Sequence, residues 1–389
     1  MITRRASGRE IPAGPPLDLA AALAAVDDCA AMIAEQAYKV DRSATFPEQS
    51  MAALRDARLL SAGIAREHGG HGLSTRELTE IAQRLGTLCG STAMIWAMHQ
   101  IQIRCMAVSA QREPKIAEYL TQAAREQLLI GSVTSEEGIG GSLRTSRTAL
   151  LPVADGFQFT KRAPTVSYGE TADSLLVTAR RTPEAAAGDQ VLVLVTARQA
   201  RLRPTGGWDT LGMRGTCSGA HELTAQVPAW QVLPQPFSEI ATGCMVPLSH
   251  ALWAAVWCGI AEDALRRSVR YVQARSRGGS APANPRLGWM YARVATMTDA
   301  VRQFAESYDR DPAAVGLNIR ANAVKMQIST DAVRVAEMAL EVCGMAGYSE
   351  TSDFSVCRQL RDLLSARLMI ANDRLNEATS ELVAFADVL

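Results

Sequence analysis

Val133-Thr134-Ser135-Glu136-Glu137-Gly138-Ile139-Gly140-Gly141-Ser142 stands where the texture of the chain changes. Its three glycines and three hydroxyl residues let backbone N–H groups and side-chain hydroxyls come close to an anion or to the edge of a heterocycle. The stretch fits neither GxxxxGK[ST] nor a GxGxxG turn between strand and helix, which argues against a nucleoside triphosphate site and a Rossmann site. Taken alone, such a Gly/Ser-rich stretch is more often just a turn.

On its N-terminal side, from about Pro16 to Glu126, apolar residues recur at helical spacing. A glycine cluster, Glu67-His68-Gly69-Gly70-His71-Gly72, interrupts that pattern, and Ser74 is placed to cap a helix over 75–85. On its C-terminal side, Leu128–Thr134, Ala149–Val153, Phe157–Thr160, Ser174–Ala179, Gln190–Val195 and His221–Ala225 are short runs rich in Val, Leu and Thr between turn residues, and they read as strands. After Pro234-Gln235-Pro236 the helical period returns, in segments near 248–277, 285–308, 313–343 and 355–386. The expected fold is therefore α+β and multidomain. A disordered lead (1–15) precedes an N-terminal all-α domain (16–126), a middle β domain in the form of a barrel (127–236) and a C-terminal four-helix bundle (237–389). The length of 389 residues exceeds the roughly 250–300 at which one core stops growing.

Forty Lys+Arg balance forty Asp+Glu, so a basic nucleic-acid footprint is excluded. No uninterrupted apolar run approaches the ~18 residues of a spanning helix, and the first residues lack the apolar core of a secretory signal. Membrane insertion is not expected. Eight scattered cysteines without CxxC spacing fit reduced, buried thiols and a cytoplasmic protein, and no metal site is expected.

More segments follow in a fixed order. Lys161-Arg162 precedes Val166-Ser167-Tyr168-Gly169 and Ala172-Asp173; then come Trp208-Asp209-Thr210-Leu211-Gly212-Met213-Arg214-Gly215-Thr216, Gly344-Met345-Ala346-Gly347-Tyr348 and Leu360-Arg361-Asp362. With EHGGHG and TSEEGIGGS, this series resembles the acyl-CoA dehydrogenase family over nearly the whole chain. The resemblance implies FAD held between the β domain and the C-terminal bundle of a homodimer or homotetramer. It implies an acyl-CoA or acyl-carrier-protein thioester as substrate, and an electron-acceptor flavoprotein or oxygen as partner. By the same resemblance Ser132, Thr134 and Ser135 lie along the isoalloxazine edge, and Val166 and Ser167 approach its other side. Gly140, Gly141 and Ser142 meet the flavin or the thioester arm, and Ile95 and Trp96 line the base of the acyl pocket. Glu341–Gly344 and Gly347 reach the diphosphate and adenosine of a neighbouring subunit's cofactor. Glu341 stands where the family has Gln, so a cation is needed beside it, Arg275 or Arg277. The family's RxxFG is replaced by Arg275-Ser276-Arg277-Gly278-Gly279.

The family's base is missing. One of its two known positions, counted from Arg361-Asp362, falls on Met369-Ile370; the other, counted back from Gly259, falls on Ser249 or His250. A positioned base contributes about 10²–10⁴ in rate, so three readings stand. A substitute base acts, from among His250, Ser249, His99, Asp373 and Glu377; or the fold runs a two-component monooxygenase fed with reduced flavin; or the chain is a non-catalytic flavin-binding subunit of a mixed oligomer. His99 also reads as a histidine bonded within its helical surroundings, and Ser249 as an N-cap. Trp253 and Trp257, four apart, read as core or as an aromatic pocket wall. His68 and His71 read as structural, and Trp208 and Arg214 as braces. Arg266, Arg267, Arg270, Arg275 and Arg277 read as a carrier-protein patch or as a solvated helix face.

Overall fold

The computed structural model describes residues 14–276 and 284–385. The proposed lead therefore lies almost wholly outside the described residues, as do Arg277, Gly278 and Gly279.

Five helices open the chain: α1 (Leu19–Ser43), α2 (Glu48–Asp56), α3 (Thr75–Gly86), α4 (Gly90–Ala107) and α5 (Pro114–Glu126). Ser74 caps α3 and forms a reciprocal capping box with Glu77. Helix α4 carries apolar side chains all round and is buried on nearly every face.

The middle domain consists of two sheets. β1 (Ile130–Val133), β4 (Ser174–Arg180) and β5 (Gln190–Thr196) form one, in the order β1-β4-β5, with β1 parallel to β4. β2 (Leu151–Val153), β3 (Gly156–Ala163), β7 (His221–Val227) and β6 (Ala200–Pro204) form the other, antiparallel throughout. Strands β4 and β5 are unbroken apolar runs because both of their faces are covered.

Helix α6 (Phe237–Ile240) runs through a π-turn, Ala241–Met245, into α7 (Val246–Ala274), followed by α8 (Pro285–Arg310) and α9 (Leu317–Tyr348). Because the helix is already under way at Phe237, Ser249 is an interior residue of α7 rather than its N-cap. The segment expected as one last helix is two, α10 (Cys357–Leu364) and α11 (Asn372–Phe385), separated by a turn in which Ile370 is left-handed (φ 53°). Phe237–Ala274 is long and apolar enough to cross a membrane, but 89% of its most apolar window is buried inside the protein, so it serves as the central core helix. Its closest crossing, with α3, is fixed by glycine on both sides. A Cβ at Gly259 would lie 2.1 Å from the Gln83 carbonyl oxygen, and one at Gly86 would lie 2.5 Å from that of Val256.

Candidate active site

Two β-domain segments are tied together at the end of β1. The Ser135 hydroxyl donates to the Thr165 carbonyl at 2.7 Å and accepts from the Thr165 N–H at 3.3 Å, tying the end of β1 to the turn that holds Val166 and Ser167. Ser132, Thr134, Ser135 and Ser167 are half-buried, and Val166 is sealed. Beneath the glycine loop the buried Glu136 carboxylate accepts from the Ser146 hydroxyl (2.7 Å) and from the N–H and hydroxyl of Thr148 (2.6 and 2.8 Å), with Lys161 Nζ at 3.4 Å. Burial opposes the charge on Glu136, yet Ser146, Lys161 and Thr148 together pull its carboxyl below the usual range. Burial likewise brings Lys161 down to about 8, against the pull of Glu136. Above this anchor Gly140 and Gly141 are exposed and left-handed (φ 59° and 74°), and Arg374 of α11 donates to the Gly140 carbonyl.

The loop at 208–216 is a brace. Trp208 Nε1 donates to the Met213 carbonyl (3.2 Å), Arg214 Nε to the Asp41 carbonyl (2.8 Å), and the Met213 N–H to Asp362 (2.6 Å). Arg361 grips Asp41 through both nitrogens at 2.8 and 2.6 Å. The three domains meet there.

The expected substitute bases separate clearly. In His99, Nδ1 accepts from the Ile130 N–H (3.0 Å), so Nε2 carries the proton and donates to the Leu60 carbonyl (2.7 Å). Burial pushes this imidazole down to about 4. With both nitrogens bonded to backbone, His99 is a strut between the 59–61 turn and β1, not a free base. Trp96 is engaged in the same way, its Nε1 donating to the Leu59 carbonyl (2.9 Å), and Ile95 is sealed beside it. Neither residue is presented to a reactant. Ser249 is buried within α7. Asp373 and Glu377 are exposed on α11. His71 holds Arg58 O and Leu17 N, and His68 reaches Thr121, so both are structural.

His250 is different. It is fully buried, and neither ring nitrogen makes a well-formed hydrogen bond among the described residues, although the Ala321 backbone lies close enough to favour its protonation slightly. Burial first, then the charge of Lys325, pushes it down to about 3. Lys325 on α9 donates to the Ile370 carbonyl (2.6 Å) and to Asn372 Oδ1 (2.7 Å), with Nζ 5.8 Å from the centre of the Trp257 ring. Lys325 thus links the turn at Ile370 to the neighbourhood of His250 on α7. Trp253 and Trp257 continue the His250 face of α7, and both indole N–H groups lack partners among the described residues. Sequence reasoning missed Lys325. Its signal was a lone lysine in an apolar helical stretch, which burial makes conspicuous only once the turn at 370 is seen.

Glu341 finds its cation in Arg286, at 2.8 Å, and not in Arg275, whose guanidinium lies over the Tyr271 ring. The hydrogen bond from Arg286 holds the Glu341 carboxyl below its ordinary range. Gly344 breaks α9 locally (φ 53°, ψ −136°) and is exposed with Met345 and Tyr348; Gly347 is buried against Cys343 and Val356. The arginine patch does not form as one surface: Arg267 turns inward to Asp263 and the Ser355 carbonyl, and Arg266 pairs with Glu262.

Residues 20–127 match the model of the acyl-CoA dehydrogenase N-terminal domain and residues 247–370 that of the C-terminal domain, together more than half of the chain. The chain belongs to the acyl-CoA dehydrogenase family. Cyclohex-1-ene-1-carbonyl-CoA dehydrogenase of Geobacter metallireducens is 27% identical over 343 residues, 85% of this chain and 88% of that protein. Acryloyl-CoA reductase (NADH) of Anaerotignum propionicum is 25% identical over 336 residues, 84% of each. In fold, butyryl-CoA dehydrogenase of Megasphaera elsdenii superposes with a TM-score of 0.81 at 19% identity, covering 95% of this chain and 99% of that one. FMN-bound TdsC of Paenibacillus sp. A11-2 gives 0.82 at 21%, covering 93% and 96%.

As a member of the acyl-CoA dehydrogenase family the chain is a flavoprotein oxidoreductase, and its own residues fit a flavin. The half-buried hydroxyls of two mutually tied segments form a polar rim next to the buried Val166. At Gly140 no atom lies within 4 Å of where a Cβ would stand, so the backbone can be approached closely there.

Proposed function

We propose that this acyl-CoA dehydrogenase family member is FAD-dependent and introduces an α,β double bond into an acyl thioester carried by CoA or an acyl-carrier protein, with His250 in place of the missing carboxylate. One observation carries this reading: His250, at or beside the position where the resemblance puts one of the family's bases, is alone among the five histidines in having neither ring nitrogen in a well-formed hydrogen bond among the described residues. A base must be unprotonated and free to accept, and burial beside Lys325 keeps this imidazole neutral at any pH near 7. Ser132, Thr134, Ser135, Val166 and Ser167 hold and orient the isoalloxazine, and Gly140, Gly141 and Ser142 admit the thioester arm. FAD, when bound, supplies the acceptor for the β-hydride. Met369 and Ile370 wall the reactant opposite α7. FAD rather than FMN is supported by the exposed break at Gly344 and by the Arg286–Glu341 pair, which lets that surface meet the diphosphate of a neighbouring subunit in a homodimer or homotetramer. Electrons leave to an electron-transferring flavoprotein or to oxygen.

The low proton affinity of His250 favours a second reading, a monooxygenase supplied with reduced flavin, since an imidazole near 3 is a weak base. Anaerobic titration of the flavin-loaded chain with straight and branched acyl thioesters separates the two. Dehydrogenation bleaches the oxidised flavin without oxygen, and His250→Ala slows the bleaching by about 10²-fold or more. Bleaching at the parent rate in His250→Ala removes His250 from the role. No bleaching, with product formed only from reduced flavin plus oxygen, replaces the dehydrogenase by the monooxygenase.

A further inference from the structure

Lys325 is fully buried, and among the described residues no carboxylate lies within ion-pair distance of it. The other sealed lysine, Lys161, has Glu136 at 3.4 Å. Burying an ammonium without a counter-ion is costly, and such groups are normally paired or shift toward neutrality. Burial does lower Lys325, to about 8, which leaves it mostly charged at neutral pH. An ammonium has three donors. Two go to the Ile370 carbonyl and Asn372, leaving one donor and the whole charge over to the side shared with α7. That side holds the imidazole of His250 and the indole N–H of Trp257, and nearer the surface that of the half-buried Trp253, all without partners among the described residues. The stripe runs from surface to interior, is rich in donors and contains no acid. An alkyl chain lying along it would leave every one of those donors unpaired, at about 1–3 kcal/mol each.

We propose that this stripe recognises an anionic acyl group, one that carries a carboxylate at the end remote from the thioester, with Lys325 as its counter-ion and the indole of Trp257 as a second donor. The inference rests on the thioester reading above and names its substrate class. It also accounts for a base that is weak in isolation. Burial and then the Lys325 charge hold His250 down, and a carboxylate on Lys325 offsets the second of these. The imidazole becomes a better proton acceptor once the right reactant is in place.

The test uses the full flavin-loaded chain under anaerobic conditions. Binding of glutaryl-CoA and pentanoyl-CoA, which have equal carbon counts, is compared by tryptophan quenching and by perturbation of the flavin spectrum, and the comparison is repeated with the longer pair suberyl-CoA and octanoyl-CoA. In the parent protein the carboxylate-bearing member of at least one pair should bind about ten-fold tighter or more, the value of one charge-assisted hydrogen bond. Lys325→Met should bring that ratio to about one, while Lys325→Arg, which keeps the charge, should retain a preference. Equal or tighter binding of the alkyl members in the parent overturns the inference, whether or not the variants fold. Retention of the preference in Lys325→Met overturns it too. Alkyl thioesters that bind and bleach without any preference leave the dehydrogenase reading intact and remove only the anionic substrate. Failure of all four to bind overturns both.

Discussion

Replacing His99 by leucine tests whether this histidine is a strut or a base. The ring is 1% exposed and joins the Ile130 N–H (3.0 Å) to the Leu60 carbonyl (2.7 Å), two backbone groups with no route to water. Leucine matches its bulk and supplies neither a donor nor an acceptor, so the Ile130 N–H loses its partner at about 1–3 kcal/mol, while the Leu60 carbonyl keeps the Gln100 amide at 3.1 Å. Extra apolar burial returns part of this, and a net loss of about 1–2 kcal/mol is expected. Because Ile130 opens β1, which carries Ser132 and leads into Thr134, the damage should extend to the flavin rim. Urea midpoints give the overall loss, and amide hydrogen exchange of peptides spanning 128–134 locates it. His99→Gln offers both a donor and an acceptor and should recover part of both readouts. A leucine variant within about 0.5 kcal/mol of the parent, with unchanged exchange over 128–134 but lost turnover, would refute the strut and restore His99 as a catalytic group.

Acid should destabilise the fold in a defined window. Both His99 (about 4) and His250 (about 3) lie below the free imidazole value of 6.5, so their contribution is full above pH 6.5 and is lost as pH falls toward those values; the urea midpoint should drop there, and His250→Leu should flatten the drop. Gly259→Ala should lose about 2 kcal/mol or more by thermal denaturation, because its Cβ would meet the Gln83 backbone at 2.1 Å, whereas Gly243→Ala, with no atom within 4 Å, should stay within about 1 kcal/mol. Asp362 accepts from the Met213 N–H at 2.6 Å and lies near Arg358, although burial raises its carboxyl to about 6; Asp362→Asn should therefore be milder than Asp362→Ala by about 1–2 kcal/mol, measured as the difference in urea stability.

Elements with a strong period were legible in the sequence. Ser74 with Glu77 three residues on announces α3, and the apolar runs of β4 and β5 can only be strands covered on both faces. Strand β6 was missed because Ala-Arg-Leu-Arg-Pro is a half-exposed stretch whose pairing with β7 decides its state, and no local pattern reports that partner. The break between α10 and α11 was missed for a related reason. Ile370 in a left-handed conformation has no local signature, and the turn is held from α9 by Lys325, far away in sequence. The break in α9 at Gly344 and the identity of the cation beside Glu341 were likewise tertiary facts. Arg286 reaches Glu341 because α8 packs on α9, whereas Arg275 lies beyond the end of α7 over its own neighbour Tyr271.

The distribution of satisfied polar groups locates the site better than residue type does. By type alone, His71, His99, Trp96, Trp208 and His250 are equal candidates. In the fold the first four are consumed by hydrogen bonds to backbone groups at turns, the expected fate of buried polar side chains. Nine other buried side-chain atoms, among them Thr92 Oγ1, Gln102 Oε1 and Ser174 Oγ, also lack partners among the described residues, but they are scattered over the fold. The unpaired imidazole, the two unpaired indoles and the ammonium without a counter-ion all fall on the α7–α9 side of the turn at Ile370. A glutamate beside Lys325 would be fixed in an ion pair, unavailable as a base and occupying the place of any anionic reactant.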